Sequence, residues 1–600
     1  MFQGPALQTL VRMLRQPLEE AQGYTLESLR RDALAGLTVA VVAVPQCLAY
    51  AIIAGVPPQV GLYTLIVQSA IGSLFCSQRF LSSGPINTQS LLVAAITARV
   101  LQSTGVVPGP EASALYLELV VFLSLFKGAL QMALAAGGLA TLVRYVSAAV
   151  ILGFTGGAGI LIAAGQLAPF LGIDPVAPDS ATAPGLAGPL AALVPQLGQM
   201  RVHSIGVGLV SLSVAIGMRR LSRLLPGPLV AIGVGAAAVA LLGWTADDLP
   251  LVGPLAPSLP SLRLPTLPLE HIEALFGGAL ALAVLGLMEA WAIGKTLAAR
   301  TGQRISAGQE LFAQGLTNAT SAFFGCIPGS GSFSRSTLNY RAHAATRYAG
   351  VFNALFAAAL LLGLAPLAAW IPKASLSAVL FVIAWDLVDW RAMARVIRTS
   401  RSDASVCLVT LVATLTIPLA YAVFVGVALN IGLYLRRVSR LQVAEMSLSP
   451  DDPGLERFLE RPLSDQAVHP PVVFLQLQGD LFFGQADELG DRLANLAAGG
   501  VEVVVIRLKR TLSVDSTILA TLEHFALALH RAGGRVILCG VLPDVSRRLR
   551  AYGILDLIGE DCFFEATPGV FESAQRALAR ARELTRQDVD PGSWARDPDD

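Results

Sequence analysis

The chain has 600 residues, of which 54% are hydrophobic and 14% are charged, and its formal net charge at pH 7 is +1. Soluble globular chains carry roughly 25% charged residues, so this composition indicates a membrane protein and excludes disordered, collagen-like and disulfide-stapled classes. The near-neutral charge gives no reason to expect a nucleic-acid partner. The six cysteines show no metal-ligand spacing, and we expect neither a metal nor another cofactor.

Charged residues are absent from several long stretches in the N-terminal part of the chain. The charge-free stretches are 33–78, 145–173, 224–246, 348–372 and 404–435. A membrane-spanning helix needs about 20 apolar residues, so these stretches and shorter apolar runs predict roughly 12 to 14 spans over residues 33–438. Residues 1–32 precede the first span as a mixed N-terminal segment without a signal-peptide pattern.

The basic residues between the spans predict the orientation in the membrane. They cluster at Arg219/Arg220/Arg223, at Lys295/Arg300/Arg304 and at Arg391/Arg395/Arg398/Arg401. The long connections 169–201 and 245–273 are poor in basic residues. Because positive charge favours the cytoplasmic side, we expect the clusters inside, the long connections outside, and both termini in the cytoplasm.

The C-terminal part has the pattern of a soluble α/β domain over residues 471–585, after a polar linker at 439–470 and before a polar tail at 586–600. Strands and helices alternate along this domain, which predicts a sheet covered by helices. The predicted strands are Val472–Leu477, Val501–Leu508 and Arg535–Cys539, and the predicted helices are Ala486–Leu496, Ser516–Ala532 and Asp544–Tyr552.

The first predicted span contains Pro45, which removes a backbone hydrogen-bond donor at membrane depth and is expected to loosen the helix there. Gln46 and Tyr50 follow it and lie four residues apart, hence on one face of the helix. This face points into a substrate cavity or bonds a neighbouring helix, and the pattern leaves both interpretations open.

Two later segments place Gly, Pro and small polar residues at the start of an apolar span. They are Ser82–Ser90, with Gly84, Pro85, Ile86, Asn87 and Thr88, and Pro328–Ser336, with Ser334 and Arg335. Such interrupted segments in corresponding halves indicate a transporter site, because the free N–H groups of helix N-termini favour an anion. We therefore predict an anion site between them; the alternative is that the glycines only permit close helix packing.

Glu289 and Arg335 are the charges that a bilayer tolerates least. Glu289 follows fifteen uncharged residues and Arg335 follows twenty-four, and each charge at bilayer depth costs at least about 2.5 kcal/mol. We expect the two to neutralise each other, so that a proton taken up by Glu289 frees Arg335 for an anion; a purely structural ion pair is the alternative. Glu118 and Lys127, in the run 115–137, share no clear helix face and are interpreted as structural.

In the C-terminal domain, Asp515 and Ser516 stand between a predicted strand and a predicted helix. A helix N-cap is the simplest interpretation. The alternative is a small-anion or nucleotide site, or a phosphorylation site at Ser516, at the start of this helix. The sequence has no Walker motif, no GxGxxG and no catalytic triad in a supporting context, so an enzyme is not expected.

Long stretches of the sequence resemble the signatures of one family. The first runs from Asp32 to Tyr63 and includes Pro45-Gln46, and the second runs from Glu289 through Asn318 to Asn339. With a C-terminal part similar to a STAS domain, the chain resembles the SulP (solute carrier 26) anion transporters over roughly residues 27–580.

The resemblance implies fourteen spans in two inverted seven-span repeats with the uracil-permease-like fold, a cytoplasmic α/β STAS domain, and a homodimer in the plasma membrane (the bacterial inner membrane). It also implies that Gln46, Tyr50, the segment Gly84–Thr88, Ser334 and Arg335 bind the anion and that Glu289 couples transport to protons. Proton-coupled sulfate carriers of the family keep both the acid and the arginine, so proton-driven sulfate uptake by alternating access is the favoured function.

Other functions remain open from the sequence. Within the same class, the chain is a carrier of bicarbonate, with or without sodium, a dicarboxylate carrier, or an uncoupled channel or exchanger. In a different class, it is a membrane-tethered regulator whose STAS domain is the output. The presence of Gln46, Glu289 and Arg335 together argues against the regulator.

Overall fold

The computed structural model describes residues 5–104, 109–140, 147–173, 185–221, 227–265, 269–448, 458–462 and 470–585. The chain divides into two compact units, Met1–Ile431 and Gly432–Asp600, and the division falls within the last helix of the first unit. The polar tail expected at 586–600 lies outside the described residues.

The first unit is built from helices, as its charge-free stretches predict. They are α1 (Pro5–Gln22), α2 (Leu26–Ile53), α3 (Pro58–Phe75), α4 (Asn87–Thr104), α5 (Pro110–Ala136), α6 (Ala148–Gly165), α7 (Leu167–Phe170), α8 (Ala187–Leu193), α9 (Val202–Leu221), α10 (Gly227–Leu242), α11 (Ile272–Thr301), α12 (Ala307–Ala322), α13 (Phe333–Arg341), α14 (Tyr348–Leu364), α15 (Lys373–Leu387), α16 (Trp390–Thr399), α17 (Arg401–Thr416) and α18 (Leu419–Val438). Two short strands, β1 (Ser83–Gly84) and β2 (Ser330–Gly331), precede α4 and α13.

Among the described residues, six helical stretches are long and apolar enough to cross a membrane. They are α2, α5, α6 continued by α7, α9, α11 and α18. The apolar helices α10 and α14 are shorter. Helix α2 begins at Leu26, seven residues before the first charge-free stretch, because Thr25 caps it: the Thr25 hydroxyl accepts a hydrogen bond from the Ser28 N–H at 3.2 Å.

The helices of the first unit pack in two groups. In the first group, α5 packs against α12 and α11, and α14 packs against α2 and α3. In the second group, α6 packs against α17 and α15, and α9 packs against α15 and α10. Each group takes helices from both halves of the unit, so side chains far apart in sequence become neighbours. The strands β1 and β2 belong to the first group, where β1 contacts α3 and β2 contacts α11.

The second unit is a six-stranded sheet in the order β4-β3-β5-β6-β7-β8 with helices α19–α23. The strands are β3 (Gln442–Leu448), β4 (Phe458–Pro462), β5 (Val472–Leu481), β6 (Val503–Val514), β7 (Arg535–Val541) and β8 (Phe563–Glu565). The helices are α19 (Ala486–Ala498), α20 (Ser516–Arg531), α21 (Pro543–Tyr552), α22 (Ile554–Ile558) and α23 (Glu572–Leu584). Strands β5 to β8 pair in parallel, and β3 pairs antiparallel with β4 and β5.

The three strands and three helices predicted in this unit are confirmed, with ends that differ by up to six residues. The expectation of a linker over 439–470 is corrected, because β3 and β4 are strands of the sheet within it. Both sequences mix polar and apolar residues without a long apolar run, and β4 is the edge strand of the sheet, with solvent beside it. That is why the composition resembled a linker, although Met446 is only 2% exposed.

The position of β3 and β4 predicts how fragments of the second unit behave. A fragment of residues 440–585 is expected to unfold in one cooperative transition. A fragment of residues 470–585 lacks β3 and leaves the edge of β5 unpaired, so it is expected to be less stable and to aggregate. Thermal unfolding with light scattering compares the two, and equal stability of both fragments would contradict the assignment of β3 to the sheet.

Candidate functional site

The two interrupted segments of the sequence meet in the structure. Strand β1 pairs antiparallel with β2, with Ser83 opposite Gly331 and Gly84 opposite Ser330. The Ser332 N–H donates to the Ser82 carbonyl at 2.9 Å and extends the pairing. Helix α4 then begins at Asn87 and helix α13 at Phe333. The pairing satisfies backbone groups that would otherwise be unpaired at membrane depth, and it brings the N-termini of two helices to one place.

Gly329 allows this crossing of the two segments. A Cβ atom at Gly329 would lie 2.0 Å from Oε1 of Gln68 and 2.5 Å from the Gly84 carbonyl oxygen. The Gly329 N–H donates to Oδ1 of Asn318 at 2.9 Å, which fixes the segment from the side of α12. No other residue type fits at this position without moving backbone.

Substitution of Gly329 with alanine is therefore expected to lower the unfolding temperature. Overpacking a buried site costs typically about 1–3 kcal/mol, and here one clashing atom belongs to the backbone, which cannot rotate away. Gly308→Ala on α12 is the matched control, because a Cβ there meets no atom within 4 Å. Thermal unfolding of both variants is the measurement, and an unchanged Gly329→Ala protein would contradict the close approach.

Arg335 lies in the first turn of α13 and is fully buried, with 0% of its surface exposed. Its Nη1 donates to the Pro85 carbonyl at 3.0 Å and lies 3.9 Å from Sγ of Cys47. Its Nε and Nη2 have no hydrogen-bond partner among the described residues. A Cβ at Gly84 would lie 2.9 Å from Nη2, so the glycine leaves room for the guanidinium. Two of the three nitrogens of this buried guanidinium are therefore available to an acceptor that the described residues do not supply.

Gln46 and Tyr50 lie on α2 and are buried, with 7% and 5% of their surfaces exposed. Gln46 Oε1 has no hydrogen-bond partner among the residues described. Cys47, between them, is the residue that contacts Arg335. Helix α2 continues through Pro45 without a break. The structure thus brings this part of α2 beside the start of α13.

The remaining predicted anion ligands lie on the two segments themselves. Ser334 is exposed on the first turn of α13, and its hydroxyl lies 3.3 Å from that of Ser332, the N-cap of this helix. Ile86 and Asn87 are buried at the start of α4, where Oδ1 of Asn87 accepts from the Thr88 N–H at 2.9 Å. These side chains and the helix N-termini surround the same crossing of β1 and β2.

Glu289, on α11, is held by the start of α4. Thr88 Oγ1 donates to Oε1 of Glu289 at 2.5 Å, and Gln89 Nε2 donates to Oε2 at 3.3 Å. Gln89 Oε1 in turn accepts from Nζ of Lys127 at 3.0 Å. Glu289 therefore ends a chain of hydrogen bonds that begins at a buried lysine.

The expected ion pair between Glu289 and Arg335 is absent from the part of the chain that the structure describes. Arg335 is directed toward Pro85 and Cys47, whereas Glu289 is directed toward Thr88 and Gln89. The two charges face different sides of the first interrupted segment. The correction matters for mechanism, because an anion at Arg335 displaces no carboxylate.

Sequence reasoning missed Gln89 and misjudged Lys127. Gln89 was visible in the polar run that opens α4, but its amide could have bonded to any neighbour. Lys127 shares no clear helix face with Glu118, so the pattern favours a structural interpretation, which the hydrogen bonds of Lys127 make incomplete. The useful signal is that Lys127 lies nine residues from Glu118, the nearest charged residue of the apolar helix α5, and such a charge needs a partner.

In the second unit, Asp515 is the N-cap of α20. Its side chain accepts from the Ile518 N–H at 3.0 Å and from the Phe483 N–H at 2.6 Å. The neighbouring Ser516 is the first residue of the helix and is exposed. Its hydroxyl is therefore accessible at a helix N-terminus.

Most of the chain is similar to known transporters in sequence. Residues 29–410 match the Sulfate permease family and residues 465–574 match the STAS domain. A putative sulfate transporter of Bacillus subtilis, YvdB, is 25% identical over 552 residues, which cover 91% of this chain and 97% of that protein. A probable sulfate transporter of Mycobacterium tuberculosis, MT1781, is 27% identical over 559 residues, covering 92% and 96%.

Solved structures agree with the fold. The murine solute carrier 26 family member A9 anion transporter, in its inward-facing state, superimposes with a TM-score of 0.83 at 19% identity and covers 94% of each chain. The transmembrane domain of BicA, a cyanobacterial bicarbonate transporter, gives a TM-score of 0.58 at 26% identity and covers 68% of this chain and 99% of that one. The chain therefore belongs to the sulfate permease family of membrane-embedded anion transporters, and it carries a STAS domain after its transport region.

Proposed function

We propose that this protein takes up sulfate together with protons by alternating access. The observation that carries the proposal is the buried Arg335, whose Nε and Nη2 have no partner among the described residues, where two helix N-termini meet. A guanidinium edge with free donors beside two positive helix ends suits a small oxyanion. The relatives named as sulfate transporters favour sulfate as that anion.

The proposed anion ligands divide by the kind of contact they offer. Arg335 supplies charge and directed N–H donors, and Ser334 supplies a hydroxyl on the exposed side of α13. The segment Gly84–Thr88 supplies the N-terminus of α4, and Gln46 and Tyr50 form the wall on α2. Most of these donors are dipoles held in fixed positions. They can replace the water molecules around the anion with little rearrangement of the protein.

Glu289 is the proposed proton-coupling residue. It accepts a hydrogen bond from Thr88 in the first turn of α4, which is also part of the proposed anion site. A deprotonated Glu289 sets negative charge against this helix N-terminus, and protonation removes that charge. Proton and anion should therefore favour each other's binding, and by linkage the effect is reciprocal.

The fold supports fourteen spans in two inverted repeats through its packing. The first seven would be α2, α3, β1 with α4, α5, α6, α9 and α10, and the second seven α11, α12, β2 with α13, α14, α15, α17 and α18. In this arrangement α5 corresponds to α14 and α3 corresponds to α12, so the packing of α5 against α12 has its counterpart in the packing of α14 against α3. In the same way, the packing of α6 against α17 has its counterpart in the packing of α15 against α9.

Orientation, assembly and location complete the proposal. The last turns of α9, α11 and α18 carry arginines, which favours the cytoplasmic side for these ends and for both termini. The helices lie in the bacterial inner (plasma) membrane in contact with its lipids, and the functional unit is a homodimer, as the resemblance to the family implies.

Uptake into liposomes containing the purified protein tests the proposal. Labelled sulfate, bicarbonate and fumarate are offered separately under an inward proton gradient, an inward sodium gradient or neither. We expect concentrative uptake of sulfate under the proton gradient alone. Sulfate uptake that ignores the gradient would indicate a channel or exchanger, and a failure to transport sulfate under all conditions would overturn the proposal.

Sodium- or proton-linked bicarbonate transport is the second candidate. The observation that favours it is the 26% identity to the transmembrane domain of a bicarbonate transporter. The bicarbonate arm of the liposome experiment separates the two candidates by showing which anion is accumulated. A singly charged anion such as bicarbonate needs less positive charge in the site than sulfate does.

Ser516 is proposed as a regulatory phosphorylation site. A phosphate there would meet the favourable N-terminus of α20 and the unfavourable carboxylate of Asp515, and so would change the surface of this part of the sheet domain. The variant Ser516→Asp is expected to alter the rate of sulfate uptake at unchanged sulfate affinity, and an unchanged rate would contradict the proposal.

A further inference from the structure

Lys127 lies in the middle of α5 and is fully buried, with 0% of its surface exposed. Its Nζ donates to Oε1 of Gln89 at 3.0 Å and to the Gly329 carbonyl at 2.6 Å. Both acceptors are neutral, although a buried ammonium is strongly destabilised without a counter-charge. The lysine also connects the two interrupted segments, because Gln89 follows β1 and Gly329 precedes β2.

The counter-charge lies one side chain further along. The Gln89 amide accepts from Lys127 through its oxygen and donates to Glu289 through its nitrogen, at 3.0 Å and 3.3 Å. The negative end of the amide dipole therefore faces the ammonium and its positive end faces the carboxylate, which stabilises both charges. Its orientation is consistent with both neighbours, because the reversed amide would direct NH₂ at the ammonium and oxygen at the carboxylate.

Three other charged groups on the helices of this unit have their own contacts. On α12, the carboxylate of Glu310 accepts from the Ser77 hydroxyl at 2.7 Å. On α4, the guanidinium of Arg99 lies over the Tyr421 ring, and on α13 that of Arg335 donates to the Pro85 carbonyl. Among the residues described, Glu289 on α11 is the carboxylate linked to Lys127 by a hydrogen-bonded chain.

We propose that Lys127 is the fixed counter-charge of Glu289 and that it thereby sets the site to take a doubly charged oxyanion with one proton. The second half of this statement rests on the proton-coupled function proposed above; the first half does not. With Glu289 deprotonated, its charge cancels that of Lys127, and Arg335 leaves one positive charge. Protonation of Glu289 leaves two, which is the number that neutralises sulfate and exceeds what a singly charged anion needs.

A set of stability measurements tests the pairing without any anion. The variants are Lys127→Met, Glu289→Gln and the double variant, in the full-length protein at pH 8. Lys127→Met alone leaves a buried carboxylate uncompensated, whereas the double variant leaves no unpaired charge. We expect the single variant to unfold at a lower temperature than the double variant. Additive shifts, with the double variant the least stable, would overturn the pairing whichever anion is carried.

Equilibrium binding of two matched anions tests the charge preference. Sulfate is compared with methanesulfonate, which has a similar tetrahedral shape and a single charge. We expect Lys127→Met to lower the ratio of sulfate to methanesulfonate affinity at pH 5.5 by about tenfold or more, because one positive charge is lost from a poorly screened site. Lys127→Arg is expected to keep the ratio of the parent, and the variant Lys127→Met/Glu289→Gln is expected to bind sulfate with an affinity that does not change with pH.

The outcomes separate the inference from the proposed function. Two results would assign Lys127 a purely structural role and overturn the charge preference. In one, Lys127→Met weakens the binding of sulfate and of methanesulfonate by the same factor. In the other, Lys127→Arg lowers the ratio of the two affinities as much as Lys127→Met does. If Lys127→Met does not fold, the double variant is compared with Glu289→Gln at pH 5.5. Loss of Lys127 is then expected to lower the ratio of sulfate to methanesulfonate affinity by about tenfold, and an equal ratio in the two variants overturns the inference. A parent protein that binds no sulfate overturns the proposed function instead, and the stability measurements retain their meaning.

Discussion

Replacement of Glu289 with glutamine is expected to abolish proton-driven accumulation of sulfate while leaving sulfate exchange intact. Glutamine resembles the protonated acid and keeps acceptor and donor atoms beside Thr88 and Gln89. In the parent, low pH should tighten sulfate binding, because protonation removes a negative charge from the start of α4. In Glu289→Gln the affinity should stay at its low-pH value across the whole range, since the titrating group is gone.

Uptake into liposomes with and without an inward proton gradient measures the first effect, and equilibrium binding from pH 5.5 to 8 measures the second. The matched control is Glu310→Gln. Glu310 is also a buried acid, but it accepts from the Ser77 hydroxyl and from the Ser77 N–H at 3.0 Å, away from the start of α4. The control should keep its coupling. Accumulation by Glu289→Gln that equals that of the parent would remove Glu289 from the mechanism.

Replacement of Arg335 with glutamine is expected to weaken sulfate binding by about 100-fold or more at every pH. Each hydrogen bond from a charged donor contributes roughly 1.5–3 kcal/mol, and Nε and Nη2 are both proposed to donate to the anion. Arg335→Lys should recover part of the loss, because it restores the charge but not the planar fork. Isothermal titration with sulfate gives the affinities directly.

Arg347 provides the control for burial alone. It is 2% exposed and donates to the Leu74 carbonyl at 2.7 Å, and its Nε forms an ion pair with Glu20 at 3.2 Å. Arg347→Gln should therefore lower the unfolding temperature without a comparable change in sulfate affinity in the protein that remains folded. An Arg335→Gln protein that binds sulfate like the parent would contradict the proposed anion site.

The positions of the interrupted spans could be predicted from the sequence because they depend on local chemistry. Ser82–Ser90 and Pro328–Ser336 each combine Gly and Pro with several small polar residues, and such a combination disfavours a continuous helix more than the single Pro45 in α2 does. The structure accordingly has α4 and α13 starting at Asn87 and Phe333. One such segment occurs in each half of the unit, and this arrangement predicts that the two segments lie opposite each other. In the structure they meet through β1 and β2.

The partners of the buried charges could not be predicted in this way. An uncharged run shows that Glu289 and Arg335 lie at membrane depth, but it contains no information about the direction in which each side chain points. Glu289 accepts from a threonine 201 positions away, and Lys127 donates to a glycine carbonyl 202 positions away. Such contacts depend on how α4, α5 and α11 pack, and many alternative pairings satisfy the same composition.

The strands β3 and β4 illustrate a second limit. Polar residues beside a proline-containing stretch have the composition of a linker, and only pairing with β5 makes them strands. The sequence of the edge strand β4 is ambiguous because edge strands are selected for polar character, which limits aggregation. The sequence of β3, which lies between β4 and β5, is ambiguous because it has no long apolar run. The central strands β5, β6 and β7 were predictable because both of their faces are buried.

The most direct test of the central claim is the number of protons taken up when sulfate binds. The purified protein is placed in a weakly buffered solution near pH 7, sulfate is added to saturation, and the pH change is calibrated against added acid. If Glu289 and the anion site are linked as proposed, sulfate binding takes up protons, approaching about one per site, and Glu289→Gln takes up none. Sulfate binding by the parent without proton uptake would contradict the account.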